Sequence, residues 1–219
     1  MQKIIFPEID LTGVKGVMID LDNTLYLYEP CHNFALKSCF EKFFLGKMSF
    51  TEFADLYKKH RDEVTASLSP QGACRSRLFA FQHLLEDMQE KEAYEKAAML
   101  DQLYWHDFIS VMKLEDDAKK FLEKCKDKSL PICVVTDMLA ETQVKKLRKL
   151  QITQFIDYLV TSEEAGKEKP SALIFEVALK KLRLEKSEVI MIGDDEKKDV
   201  VGAKNNGINS YQVKISKEI

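Results

Sequence analysis

The sequence predicts an α/β fold, a doubly wound parallel sheet with a helical domain inserted into it. Three observations carry that reading. Short apolar, β-branched runs recur along the chain, each ending in acidic or hydroxyl residues. Amphipathic helical segments alternate with these runs from Asp116 onward. Between Tyr26 and about Met112 the alternation stops, and aromatic residues among helix formers replace it.

The apolar runs cover residues 15–20, 131–137, 158–162 and 189–194, with a fifth at 208–213. Continuous runs this short read as strands buried on both faces, as in a parallel sheet. The helical segments lie between them. Residues 116–126 put Ala118, Phe121, Leu122 and Cys125 on one face. Residues 140–150 do the same with Val144, Leu147 and Leu150, and residues 171–184 with Leu173, Ile174, Val177, Ala178 and Leu182. Helix and strand in strict alternation argue for right-handed crossovers onto one sheet.

The interrupting stretch reads as all-helical. Leu78, Phe79, Ala80 and Phe81, with Leu84 and Leu85, suit a helix core, and residues 67–72 are its clearest break. The expected domains are 1–25 with 113–219, and a helical domain at 26–112.

Composition narrows the function classes. Hydrophobic residues make up 45% and charged residues 32% of 219, enough for a packed core. Lys and Arg number 33 against 36 Asp and Glu, so the basic footprint of a nucleic-acid binder is absent. No apolar run approaches the roughly 18 residues of a membrane helix, and the N-terminus lacks a secretory pattern. Five cysteines without a CxxC pair suggest idle thiols in a reducing cytoplasm.

Open parallel sheets bind ligands beyond the carboxyl ends of their strands. Those ends carry Asp20 and Asp22, then Thr136 and Asp137, then Asp194 and Asp195 with Asp199 close behind. Adjacent strands would gather these carboxylates at one spot. Two unit charges about 4 Å apart repel by roughly 4 kcal/mol at an effective dielectric of 20. Either some hold protons or a cation sits among them. An all-oxygen set suits a hard ion such as Mg²⁺. Asp20 and Asp22, two residues apart, point the same way on extended backbone. In different surroundings they can split into nucleophile and general acid.

Each feature also has a plain reading. Asp-x-Asp alone is equally a solvated turn. An EF-hand loop would need Gly at Leu25 and Glu at Cys31, and is rejected. Asp194 or Asp195 could cap the next helix. Lys169, before Pro170, could be a solvated loop residue, and Thr136 could simply end a strand.

Taken together, the motifs resemble those of the haloacid dehalogenase-like hydrolase superfamily. Asp20-Leu21-Asp22-Asn23-Thr24-Leu25 is similar to its first motif, Thr136 to its second, Lys169 to its third, and Gly193-Asp194-Asp195 through Asp199 to its fourth. The resemblance spans about residues 14–213. It implies a Rossmann-like core and a helical cap domain of the first type. It also implies a Mg²⁺-dependent phosphatase acting on a small phosphate ester, a nucleoside monophosphate or a sugar phosphate.

By that resemblance Asp20 is the nucleophile that becomes an aspartyl-phosphate. Asp22 is the acid and then the base. Asp20 and Asp194 hold Mg²⁺ with the backbone carbonyl of Asp22. Thr136 and Lys169 bind phosphoryl oxygens, and Asp195 and Asp199 form the surrounding layer. Asp137 stands where many relatives have Asn, and is expected to face away or to meet a substrate hydroxyl. Arg75, Arg77 and His32 could reach substrate, or could be solvated helix and loop positions. A phosphomutase, a 2-haloacid dehalogenase and an inactive binding relative are the alternatives. Asp22, which carbon–halogen cleavage does not need, argues against the dehalogenase. The expected partner is a small phosphate ester, not a nucleic acid or a membrane, with the chain a monomer or homodimer.

Overall fold

The computed structural model describes residues 2–217. The chain divides into two compact units. One comprises the chain up to Tyr28 and from Met112 onward; the other is Glu29–Val111.

The first unit is built on five parallel strands. They are β2 (Gly16–Ile19), β3 (Ile132–Thr136), β4 (Tyr158–Thr161), β5 (Val189–Gly193) and β6 (Asn209–Gln212), in the order β4-β3-β2-β5-β6. The three central strands are buried at every residue. That burial is why their sequences are unbroken apolar runs. The edge strands β4 and β6 are partly exposed and correspondingly more polar. Successive strands step outward from β2 in one direction to β4, and in the other from β5 to β6. The order therefore reverses between β2 and β5, which creates a switch point beyond their carboxyl ends.

Helices α5 (Asp116–Asp127), α6 (Ala140–Lys149) and α8 (Ala172–Leu182) join the strands, with the single turn α7 (Ser162–Ala165) after β4. Helix α5 buries Ala118, Phe121, Leu122 and Cys125, as its periodicity predicts. Helix α8 buries Ile174, Phe175, Ala178 and Leu182 against Met18, Val135 and Met191, while Leu173 is exposed. Helix α6 departs from expectation. It buries Gln143, Lys146 and Leu147 and turns Val144 outward. After β5 the chain runs through a wide helical turn, Glu196–Val201, into the short α9 (Gly202–Asn205).

Two strands escaped the sequence reading. β1 (Gln2–Ile5) pairs antiparallel with β7 (Lys214–Lys217) in a separate two-stranded sheet.

The second unit is helical. Its helices are α1, which begins at Tyr28 and ends at Phe43, α2 (Phe50–Leu68), α3 (Arg77–Asp87) and α4 (Ala93–Ser110). No strand occurs there among the described residues. Ser49 and Glu52 close a capping box at the start of α2, and Ser76 caps α3. The core is aromatic. Phe44 and Phe53 lie 4.5 Å apart and Tyr57 and Phe81 5.0 Å apart, with Tyr104 and Phe108 also buried. Phe79 is exposed, so only part of the expected α3 core is core.

Solvated positions were one reading for Arg77 and His32, and the structure corrects it. The Arg77 guanidinium is buried over the rings of Tyr104 and Trp105, at 5.6 and 5.7 Å, and donates to the Arg75 carbonyl. Nδ1 of His32 lies 2.7 Å from the Tyr104 hydroxyl. All five cysteines are buried free thiols. Among the described residues no helix is long and apolar enough to cross a membrane.

Candidate active site

Register brings the site together. Ile19 pairs with Ile192 on one side and Val134 on the other, so the residues that follow β2, β3 and β5 emerge side by side. The amide of Asp20 donates to the Ile192 carbonyl at 2.8 Å, which fixes the backbone just past the sheet.

Asp20, Asp194 and Asp199 each present a carboxylate oxygen, all within 4.8 Å of one another. Asp20 and Asp199 are buried and Asp194 is half-buried. One ammonium stands among them. Lys169 Nζ donates to Asp20 Oδ1 and Asp199 Oδ1, both at 2.6 Å, and to the Val135 carbonyl at 3.0 Å. Thr24, fully buried, donates to Asp20 Oδ2 at 3.2 Å.

Charge balance follows from this crowding. Burial pushes the Asp20 carboxyl well up; Lys169 pulls it back, while Asp199, Asp194 and Asp22 push it further. Burial, then Asp199, raises Asp194 to about 6. Burial alone would lower Lys169, but Asp199, Asp20 and Asp137 overcome it and hold the ammonium charged. Three carboxyl groups thus crowd about one ammonium that bonds two of them, Asp20 and Asp199.

Asp22 lies outside that group of three. Its carboxylate accepts from Lys146 Nζ at 2.7 and 2.9 Å and from the Tyr26 hydroxyl at 2.5 Å. Thr136 is buried at the end of β3. Gln143 Nε2 donates to its hydroxyl at 2.6 Å and to the Asp137 carbonyl at 3.0 Å. That carbonyl can only accept, so this end of the amide is the NH₂ and the Thr136 O–H remains a donor. Its nearest acceptor, the Asp137 carbonyl, is a long 3.3 Å away.

The carboxylate of Asp137 is occupied from both sides. Oδ1 accepts from the Lys169 amide at 2.9 Å and Oδ2 pairs with Lys198, which also reaches Glu168 at 3.1 Å. Asp137 therefore ties the Lys169 loop to the helix after β5. Asp195 is exposed, and its Oδ1 accepts from the amides of Lys197 and Lys198, which is the capping role. Its own amide donates to Asp199 Oδ2 at 3.0 Å.

The sequence assigns no role to Lys146, Gln143, Thr24, Tyr26 or Lys198, although Thr24 and Lys198 stand within the first and fourth motifs. The available signal was helical spacing. Gln143 and Lys146 are three apart, on the same face as Leu147.

The chain is an open, doubly wound α/β sheet with an acidic centre at its switch point. The chain belongs to the haloacid dehalogenase-like hydrolases, whose family profile matches residues 17–213. It is 33% identical over 205 residues to a ribulose-1,5-bisphosphate 5-phosphatase of Halopiger xanaduensis, covering 93% of this chain and 86% of that one. It is 26% identical over 201 residues to a glyceraldehyde 3-phosphate phosphatase of Methanothermobacter thermautotrophicus, covering 91% and 85%. Two solved structures share the fold. The HAD-hydrolase YfnB from Bacillus subtilis matches with a TM-score of 0.68 at 20% identity, over 90% of this chain and 85% of that one. A 2-haloacid dehalogenase from Pseudomonas syringae matches with a TM-score of 0.69 at 21% identity, over 90% and 85%.

Proposed function

We propose that this chain is a Mg²⁺-dependent phosphomonoester hydrolase acting on a phosphorylated sugar through an aspartyl-phosphate on Asp20. The observation that carries the reading is the junction of Asp20, Lys169, Asp194 and Asp199, with Asp22 two residues from the nucleophile. The relatives named for sugar and triose phosphates favour a sugar phosphate over a nucleoside monophosphate.

The donor set fits a hard cation. Every ligand is oxygen, and the carboxylate oxygens span at most 4.8 Å. Asp20, Asp194 and the main-chain carbonyl of Asp22 would hold the cation. Asp199 would stay behind them, since its two oxygens already hold Lys169 and the Asp195 amide. When bound, the ion supplies positive charge that offsets repulsion between the nucleophile and the phosphate dianion.

The chain's own groups do the rest. Lys169 fixes Oδ1 of Asp20, which orients the carboxylate for attack on phosphorus, and adds its charge beside the transferring group. The Thr136 hydroxyl donates to a phosphoryl oxygen. As the P–O bond to the sugar breaks, Asp22, in the form that carries a proton, gives that proton to the departing oxygen. Asp22 then takes a proton from water as that water attacks the phosphorus on Asp20. Inorganic phosphate leaves and Asp20 is regenerated.

The test is phosphate release from a panel of sugar phosphates and nucleoside monophosphates, with and without Mg²⁺ and a chelator. Turnover that favours a sugar phosphate, stops with chelator and returns with Mg²⁺ is expected. Chelator-resistant turnover, or preference for nucleotides, contradicts the corresponding part.

A further inference from the structure

We infer that Lys146 is a positioning residue that acts through Asp22, fixing the carboxylate that moves the proton. This rests on the reading of Asp22 as the acid and base.

Lys146 is out of place by every sequence rule. It sits on the buried face of α6 beside Leu147, and its side chain has no solvent exposure. Taking an ammonium out of water costs several kcal/mol, recovered only where good partners wait inside. Its partner is 124 residues away in the chain, and Nζ meets both oxygens of Asp22, at 2.7 and 2.9 Å. The Asp22 side chain keeps 29% exposure. A carboxylate that open to water has no need of a buried cation for its own solvation. The contact offsets the burial of Lys146 and, at the same time, fixes the carboxylate's geometry.

The restraint is complete in kind. A carboxylate on a short stem has two soft torsions and would sample several rotamers at an open rim. Lys146 grips it at both oxygens, and the hydroxyl of fully buried Tyr26 adds a second bond to Oδ1. Lys146 Nζ also lies 5.7 Å from the centre of the Tyr26 ring, so the two restraints brace each other. Both oxygens are thus held, while the side chain keeps the exposure that a reacting oxygen needs. A misplacement of about 1 Å in such a group costs on the order of 100-fold in rate.

The test compares Asp22→Asn, Lys146→Met and the double variant on two substrates. One is an alkyl sugar phosphate, whose departing oxygen needs a proton. The other is an aryl phosphate, whose departing phenolate does not. The readout is kcat/KM, measured against free enzyme and substrate. Lys146→Met is expected to lose about 10- to 100-fold on the alkyl ester and less than about fivefold on the aryl ester. Because Lys146 works through Asp22, the double variant should be no slower than Asp22→Asn alone, within about threefold. Equal losses on both substrates, or a double variant that shows the product of the single losses, would overturn the proposal. So would wild-type behaviour of Lys146→Met beside a slow Asp22→Asn. A fast Asp22→Asn on the alkyl ester would instead overturn the acid–base reading itself. Should Lys146→Met fail to fold, Lys146→Gln, which can bond one oxygen, gives the same comparison.

Discussion

Asp199 occupies the space that a side chain at Gly193 would need. A Cβ placed on Gly193 would stand 2.2 Å from Asp199 Oδ2. The absence of that one carbon lets the carboxylate lie against the end of β5, where it reaches Lys169. Gly193→Ala is therefore expected to displace Asp199 and, through it, Lys169 and Asp20. Phosphate release should fall by more than about tenfold, the scale of a displaced catalytic group. Activity close to wild type would mean that Asp199 can move without disturbing Lys169.

Lys169 is the only cation among the described residues that bonds both Asp20 and Asp199. Lys169→Met leaves two buried carboxylates without it. Removing one partner of a buried pair costs about 3–5 kcal/mol, so the melting temperature should fall clearly. Turnover should drop by on the order of 1,000-fold, as expected for lost electrostatic stabilisation. A variant that melts like wild type and turns over within tenfold of it would remove Lys169 from the site.

Asp137 works on the backbone of the Lys169 loop. Asp137→Asn keeps an oxygen for the Lys169 amide and should stay within about threefold of wild-type activity. Asp137→Ala removes the acceptor of that amide, which costs about 1–3 kcal/mol for the buried group. Its activity should fall about tenfold. Equal activity in both variants would argue that the amide contact does not matter.

His32 makes a pH prediction for the helical unit. Burial first, then Arg77 and Arg61, pull its pKa from 6.5 down to about 3. Between those values the unfolded chain binds a proton at His32 and the folded chain does not. Stability is therefore present above pH 6.5 and is lost as pH falls through that window. His32→Gln removes the difference, so its melting temperature should decline less steeply than that of wild type from pH 6.5 to 5. Parallel curves would show that His32 titrates alike in both states.

The sheet and the acidic centre were legible because each obeys a simple rule. Strands buried on both faces must be apolar throughout, so β2, β3 and β5 stand out as runs. Their ends are where a doubly wound sheet places its ligands, so Asp20, Thr136 and Asp194 could be named in advance. The pair β1 and β7 was not legible. Each strand has four residues, and Ile5 and Ile215 are exposed, so the pattern is too short and too mixed to read.

Lys146 and Gln143 were missed for a different reason. Hydrophobic periodicity assigns polar residues outward and apolar ones inward, and α6 reverses this at Val144 and Lys146. The compensating partners, Asp22 and Thr136, come from distant segments. Only the folded chain shows them meeting.

The central claim is that Asp20 becomes covalently phosphorylated. Single-turnover reactions with a phosphate-labelled sugar ester, quenched in acid, measure this directly when the protein is digested and its peptides mapped. The label should appear transiently on the peptide that contains Asp20, decay as inorganic phosphate forms, and be missing from Asp20→Asn. Phosphate released at the full rate with no labelled Asp20 peptide at any time point would contradict the account.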